Sequence, residues 1–406
     1  MEKKLWNKDF ILLLQGNAVS TIGDLMYSVA IGYWVYEQTG SSGLMGLMTS
    51  ISLFVTMFFS PFCGSIVDKC NRKGVVVLID TLQGALMLTV GVLAYRNALN
   101  VPVVLLAALL AAFGSVFYSP AISTILLDIV PRGDLVRGQS IHSGITSAIN
   151  LVGTAFSGAM VAFLGVPLIV VINGLSNLYA AATELLIRVP QTVQQGTPVT
   201  VKGILQDSGK AIRTIVSDRF LSLFVPCALI LNLLSAGSFA LILPFCLEKG
   251  FTVEKYGYLV SVFTVAQLLC VVLLGTVKLT PKARFWVQAL GFSFSEVFFF
   301  LTYLSRGFVP MSILAFLAGF LNCAGNTVFN AALMLALPEE NRSAILGFIQ
   351  SASVGGTALS AVIYGFLGDI FPLYLVFAVG SAISLGPMLY MSFHPKTKEF
   401  VLEHCE

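Results

Sequence analysis

The sequence predicts an all-α membrane protein with twelve transmembrane helices in two six-helix repeats. Three observations lead there. Hydrophobic residues make up 57% of the 406 residues and charged residues 11%, whereas a soluble domain carries about a quarter charged residues. Apolar runs long enough to cross ~30 Å of hydrocarbon, about 20 residues each, number twelve. A motif in the fifth run returns in the eleventh, half the chain length later.

The first run, 10–37, is too long for the apolar core of a secretory leader and lacks a small-residue cleavage site. It carries Asn17, Ser20, Thr21, Asp24, Tyr27 and Ser28 at the spacing of one helical face. The second to fourth runs are 43–67, 74–95 and 101–130, with Asp80 in the third and Asp128 ending the fourth. The fifth, 139–164, has its own polar stripe of Gln139, Ser143, Thr146, Asn150, Thr154 and Ser157. The sixth, 166–188, places Glu184 four residues before Arg188, a spacing that allows a local pair. The seventh, 219–247, contains Asn232 and Ser235; the eighth is 255–278; the ninth, 284–305, contains Glu296. The tenth, 308–337, presents Asn322, Asn326 and Asn330, and the eleventh, 343–369, presents Gln350, Ser353, Thr357 and Ser360. The twelfth is 372–393.

Charge placement orients the runs. With the N-terminus inside, only Arg96, Lys249, Lys255 and Arg306 of the 23 lysines and arginines fall outside, a decisive positive-inside bias. Both termini are therefore expected in the cytoplasm, with the chain multi-pass in the cell membrane. The seven cysteines form no CxxC pair and read as small apolar fillers.

The longest polar interval, 189–217, separates an N-terminal bundle (1–188) from a C-terminal one (218–406). Its later part reads as an amphipathic interfacial helix near 201–216, with Ile204, Leu205, Ala211, Ile212 and Ile215 opposite Lys202, Asp207, Lys210 and Arg213. A phosphate loop is excluded there: five residues separate Gly203 from Gly209, and Ala211 stands where Ser or Thr would hold magnesium. The recurring motif pairs Gly153 with Gly356, Thr154 with Thr357, Ser157 with Ser360 and Gly165 with Gly368. It reads as a duplicated unit, an architecture common among transporters.

Between the second and third runs lies "GSIVDKCNRKG". Gly64 permits close helix approach. Asp68 and Arg72 are four apart and can pair, forming with Lys69 and Lys73 a compact charge cluster. This loop resembles the signature loop of the major facilitator superfamily, with Asn71 in place of the family's second glycine and suited to a left-handed turn. The resemblance covers the whole chain. The first run and outer loop, carried by Gly23, Asp24, Trp34, Tyr36, Thr39, Gly40 and Ser41, are similar to the macrolide-efflux type of drug exporter, as is "FYSPAISTILLDIVP" in the fourth run. Two departures stand out. Gly153 is followed by Thr154 where exporters often carry proline, and the second-half loop "GTVKLTPKARF" has lost the signature.

The resemblance implies the major facilitator fold, with spans one, four, seven and ten lining a central cavity. It also implies that Asp68 docks on the start of span eleven, near Asn341 or Ser343, where the helix dipole favours a carboxylate. Gating residues are expected at Gly64, Asp68, Arg72, Lys73, Asp128 and Arg137. Substrate contacts are expected from Asn17, Thr21, Asp24, Tyr27, Tyr118, Asn150, Asn232, Ser235, Asn322, Asn326 and Gln350. Trp34 and Phe239 could add stacking. Proton coupling is assigned to Asp24 and Glu296. No Lys or Arg lies deep in a span, so the cavity should favour neutral or cationic amphiphiles over anions. The expected activity is proton-coupled export by alternating access, with a lysophospholipid flippase as the alternative. With three histidines and no paired catalytic cluster, an enzyme is not expected. The expected partners are a small amphiphile, protons and the bilayer, with no cofactor, metal or nucleic acid, and the chain acting as a monomer.

Overall fold

A computed structural model describes the chain apart from residues 1–4, 132–133, 190–208, 210–211, 218–220, 278–279, 337–341, 396 and 399–406. Every regular element among the described residues is helical. The principal helices are α1 (Lys8–Thr39), α2 (Ser42–Lys69), α3 (Arg72–Tyr95), α4 (Val101–Ile129), α5 (Leu135–Leu164), α6 (Val166–Leu185), α7 (Leu221–Ala240), α8 (Ile242–Glu248), α9 (Val253–Thr276), α10 (Pro281–Leu304), α11 (Phe308–Ala336), α12 (Arg342–Ile370) and α13 (Leu373–Phe393). Ten of these are long and apolar enough to cross a membrane. The 32-residue α1 is not among the ten, because its polar stripe around Asp24 lowers its hydropathy.

Short side chains set the helix ends. Asn7, Asn71 and Asn100 each cap a helix, their Oδ1 atoms accepting from the N–H groups of Phe10 (2.8 Å), Gly74 (3.1 Å) and Val103 (3.1 Å). Gly40 stops α1 at φ +62°, its N–H reaching the Tyr36 carbonyl at 2.8 Å. Asn71 corrects an expectation. It is extended (φ −68°), not left-handed, because its side chain serves α3 as the N-cap acceptor.

The seventh apolar run also departs from expectation. It breaks at Leu241 into α7 and α8. Pro244 has no N–H to give the Ala240 carbonyl, and its ring crowds that carbonyl, which favours a break here, whereas Pro120, Pro226 and Pro387 sit inside continuous helices. Of the expected interfacial helix, only residue 209 and residues 212–216 lie within the described part. They are helical, with Ile215 buried and Ile212, Arg213 and Val216 exposed.

Packing divides the chain into two compact units, Met1–Gly40 with Ile51–Val199, and Ser41–Ser50 with Thr200–Glu406. In the first, α1 packs on α5 and α6, and α3 on α4 and α6. Phe10, Leu13, Ile122, Leu126 and Ile129 are buried in its core. In the second, the pairings recur as α7 with α12 and α13, and α10 with α11 and α13, while α9 lies against α11. Phe224 and Phe329 stack at 4.4 Å in that core, with Phe292, Leu333 and Met388 around them. The burial pattern suits lipid: α9 exposes Leu268, Leu269, Val271 and Val272, while α10 buries Gln288, Ser293, Ser295 and Glu296.

Candidate functional site

Within the second unit, α7, α10, α11, α12 and α13 enclose a cavity of about 420 Å³, a size that suits a small organic ligand. All five second-half residues expected to meet substrate line it: Asn232, Ser235, Asn322, Asn326 and Gln350. Their bonds hold them to the walls. Asn232 donates to the Ala228 carbonyl (2.9 Å), Ser235 pairs with Ser384 (2.8 Å), and the Asn326 amide reaches Asn322 Oδ1 (3.0 Å). Glu296 of α10 joins them. It is 4% exposed, and its Oε2 has no hydrogen-bond partner. The remaining wall includes Phe224, Phe292, Phe329, Met388 and Met391, with no lysine or arginine among the described lining residues. Phe239 borders this cavity and also a second, apolar one of about 290 Å³ lined by Phe245, Tyr256, Phe263, Phe299 and Tyr303.

In the first unit, Thr21 and Ser20 spend their hydroxyls on the Asn17 carbonyl, at 2.6 and 3.2 Å. Asp24 is accessible and lies beside the side chains of Asn173 and Asn177 on α6. Asn173 Nδ2 and the Tyr27 hydroxyl are buried without a partner. Asn150 is exposed on α5. Tyr118, expected to meet substrate, is tied by its hydroxyl to Glu184 Oε1 at 3.1 Å. Glu184 therefore does not form the pair with Arg188 that their spacing allows. Arg188 is exposed, and its backbone N–H donates to Asp9 (3.0 Å).

The charged loop is also arranged differently. Arg72 bonds Asp128 on α4 at 2.7 Å, with the two side chains 7% and 18% exposed. Lys73 donates instead to the Leu185 carbonyl ending α6, at 2.7 Å. Arg72 and Lys73 of the expected cluster thus each reach a neighbouring helix. Arg137 is exposed near the start of α5. The side chain of Asp68, and Asn341 with the Ser343 side chain, lie outside what is described; Gly64 falls within α2.

One carboxylate escaped the sequence reading. Asp369, at the end of α12, accepts from the hydroxyls of Ser41 (2.7 Å) and Ser42 (3.1 Å) and from the Gly43 N–H (3.1 Å). Helix N-termini attract carboxylates in this way. Ser50 bonds the Ala358 carbonyl at 2.7 Å, and a Cβ on Gly46 would collide with the Ala361 carbonyl. The available signal was an Asp directly after the repeated "FLG", together with the Ser-Ser-Gly opening of α2.

Comparison with known proteins fits this architecture. Residues 13–275 match the Major Facilitator Superfamily pattern. Macrolide efflux protein A of Streptococcus pyogenes is 23% identical over 186 residues, 46% of each chain. Multidrug efflux pump Tap of Mycobacterium tuberculosis (strain ATCC 25618 / H37Rv) is 29% identical over 182 residues, 42% of this chain and 40% of the pump. The chain thus spans less than half the length of these curated relatives. The crystal structure of nucleoside transporter NupG superposes with a TM-score of 0.73 at 12% identity, covering 94% of this chain and 98% of that one, a likeness of fold alone.

Proposed function

This chain belongs to the Major Facilitator Superfamily, and we propose that it is a proton-coupled secondary exporter of neutral or cationic amphiphilic small molecules. The single observation that carries the substrate class is the second-unit cavity. Aromatic and methionine walls surround a few amides and one buried carboxylate, with no described cation among them. Such a surface desolvates a greasy body, and Glu296 offers a partner to an amine. The curated efflux pumps supply the direction, outward. The chain works by alternating access as a monomer, with two six-helix repeats (1–188 and 218–406) joined by a cytoplasmic linker at 189–217 and both termini in the cytoplasm. The recurring helix pairings favour that duplication.

The test is a susceptibility panel in an efflux-deficient host, followed by transport in proteoliposomes. Glu296→Gln should weaken export of cationic compounds about tenfold, as expected for a lost charge-assisted contact, and should spare neutral ones. Equal loss for both classes would refute the role given to Glu296. No protection against any amphiphile would refute the export reading.

A lysophospholipid substrate is the second reading. It is favoured by the apolar cavity beside Phe239, which could take an acyl chain while a headgroup meets the amides. Transport of labelled lysolipid without any drug phenotype would select it.

A further inference from the structure

Two carboxylic side chains lie buried against each other between α3 and α6, in the first unit. Asp80 and Glu184 are each 2% exposed and within hydrogen-bonding reach of one another. Glu184 Oε1 takes the Tyr118 hydroxyl from α4. Asp80 Oδ2 and Glu184 Oε2 have no donor at all. Two carboxylate acceptors in contact need a hydrogen between them, and the described protein supplies none.

The surrounding charges do not help either ionise. From α1, Asp24 adds a further negative charge. Asn17 lies beside Tyr118. Arg72 on α3 is engaged by Asp128 of α4, and Lys73 by the Leu185 carbonyl of α6. Arg188 is exposed beyond the end of α6. Among the described residues, α5 contributes no titratable group that acts on the pair. Like charges this close, taken out of water without a cation, cannot both persist.

We propose that Asp80 and Glu184 hold one proton between them, forming a proton-binding site distinct from Asp24 and Glu296. The proton bridges the two unpartnered oxygens, leaving the pair with a single negative charge. Tyr118 stabilises that charge by donating to Glu184. The site's existence does not depend on the export reading, but its use as the coupled proton does.

The full chain in lipid nanodiscs tests occupancy in two ways. In a pH titration followed by difference infrared spectroscopy, a protonated-carboxyl band present at neutral pH should lose a component in both Asp80→Asn and Glu184→Gln. It should keep that component in Asp24→Asn and Glu296→Gln. An unchanged band in both pair variants overturns the proposal. In thermal unfolding, the folded pair binds a proton that the unfolded chain releases above the ordinary carboxyl range, so wild-type stability should fall as pH rises above that range until the pair itself ionises. Either substitution should flatten that slope. A variant that is destabilised equally at every pH indicates a merely structural contact and overturns the proposal. So does stabilisation by sodium at constant pH, which would make the ligand a metal ion. Coupling is tested separately in proteoliposomes. Variants that keep downhill flux but lose pH-driven accumulation support it; retained pH-driven accumulation overturns the coupling role and leaves the export reading standing.

Discussion

Replacing Asp128 with leucine removes an acceptor from Arg72, whose side chain is only 7% exposed. The size of the effect can be bracketed. An exposed ion pair contributes about 0–1 kcal/mol. Breaking a buried pair by deleting one partner costs about 3–5 kcal/mol, because a desolvated charge remains. At 2.7 Å, with exposures of 7% and 18%, this pair lies toward the buried limit, so about 2–4 kcal/mol is expected. At about 2–4 °C per kcal/mol for a unit of this size, the melting temperature should fall by roughly 5–15 °C. The assay is thermal unfolding of purified protein in one fixed lipid or detergent environment, run as a cycle with Arg72→Met, Asp128→Leu and both together. Removing both charges should be milder than removing either alone, with a coupling energy above about 1 kcal/mol. If the single effects add within about 0.5 kcal/mol, the bond stabilises nothing and the reasoning fails.

Other substitutions probe further links. Asp369→Ala strips the α2 N-terminus of three accepted bonds and should cost about 1–3 kcal/mol, measured by the same unfolding assay. Gly46→Val meets the Ala361 carbonyl, so an overpacking cost of about 1–3 kcal/mol should appear as a lower melting temperature, with Gly46→Ala milder. Asn71→Ala should destabilise by about 1 kcal/mol, and Asn71→Gly, the family residue, by only a few tenths; equal losses would show that the cap bond is unimportant. Asp24→Asn keeps polar contact with Asn173 and Asn177. In proteoliposomes it should retain substrate binding and lose pH-driven accumulation, whereas undiminished accumulation would reduce Asp24 to a helix–helix contact.

The helices were legible because a span must satisfy its own backbone in hydrocarbon, which writes each one as a long apolar run. The polar stripe of α7, α11 and α12 was legible for the same reason: an amide in a span is worth its desolvation only when it faces protein or water. Hence Asn322, Asn326 and Gln350 stood out by their spacing and Asn232 by the family resemblance, and they do line one cavity.

Partnership was another matter. At residues 184 and 188 the sequence offers a neighbour four positions away, a contact worth only a few tenths of a kcal/mol. Glu184 takes Tyr118, 66 residues distant, and Arg72 also reaches Asp128, 56 residues distant. Neither distance leaves a trace in local periodicity. The partners of Asp369 were hidden likewise, since its worth arises only where α12 brings it to Ser41, Ser42 and Gly43, more than 320 residues earlier. Hydropathy is a property of each residue against its solvent, so the sequence alone determined which segments span and which faces are polar. The choice of partner for each buried charge is a property of packing, and only the tertiary structure, which sets α3 against α4 and α6, could make it.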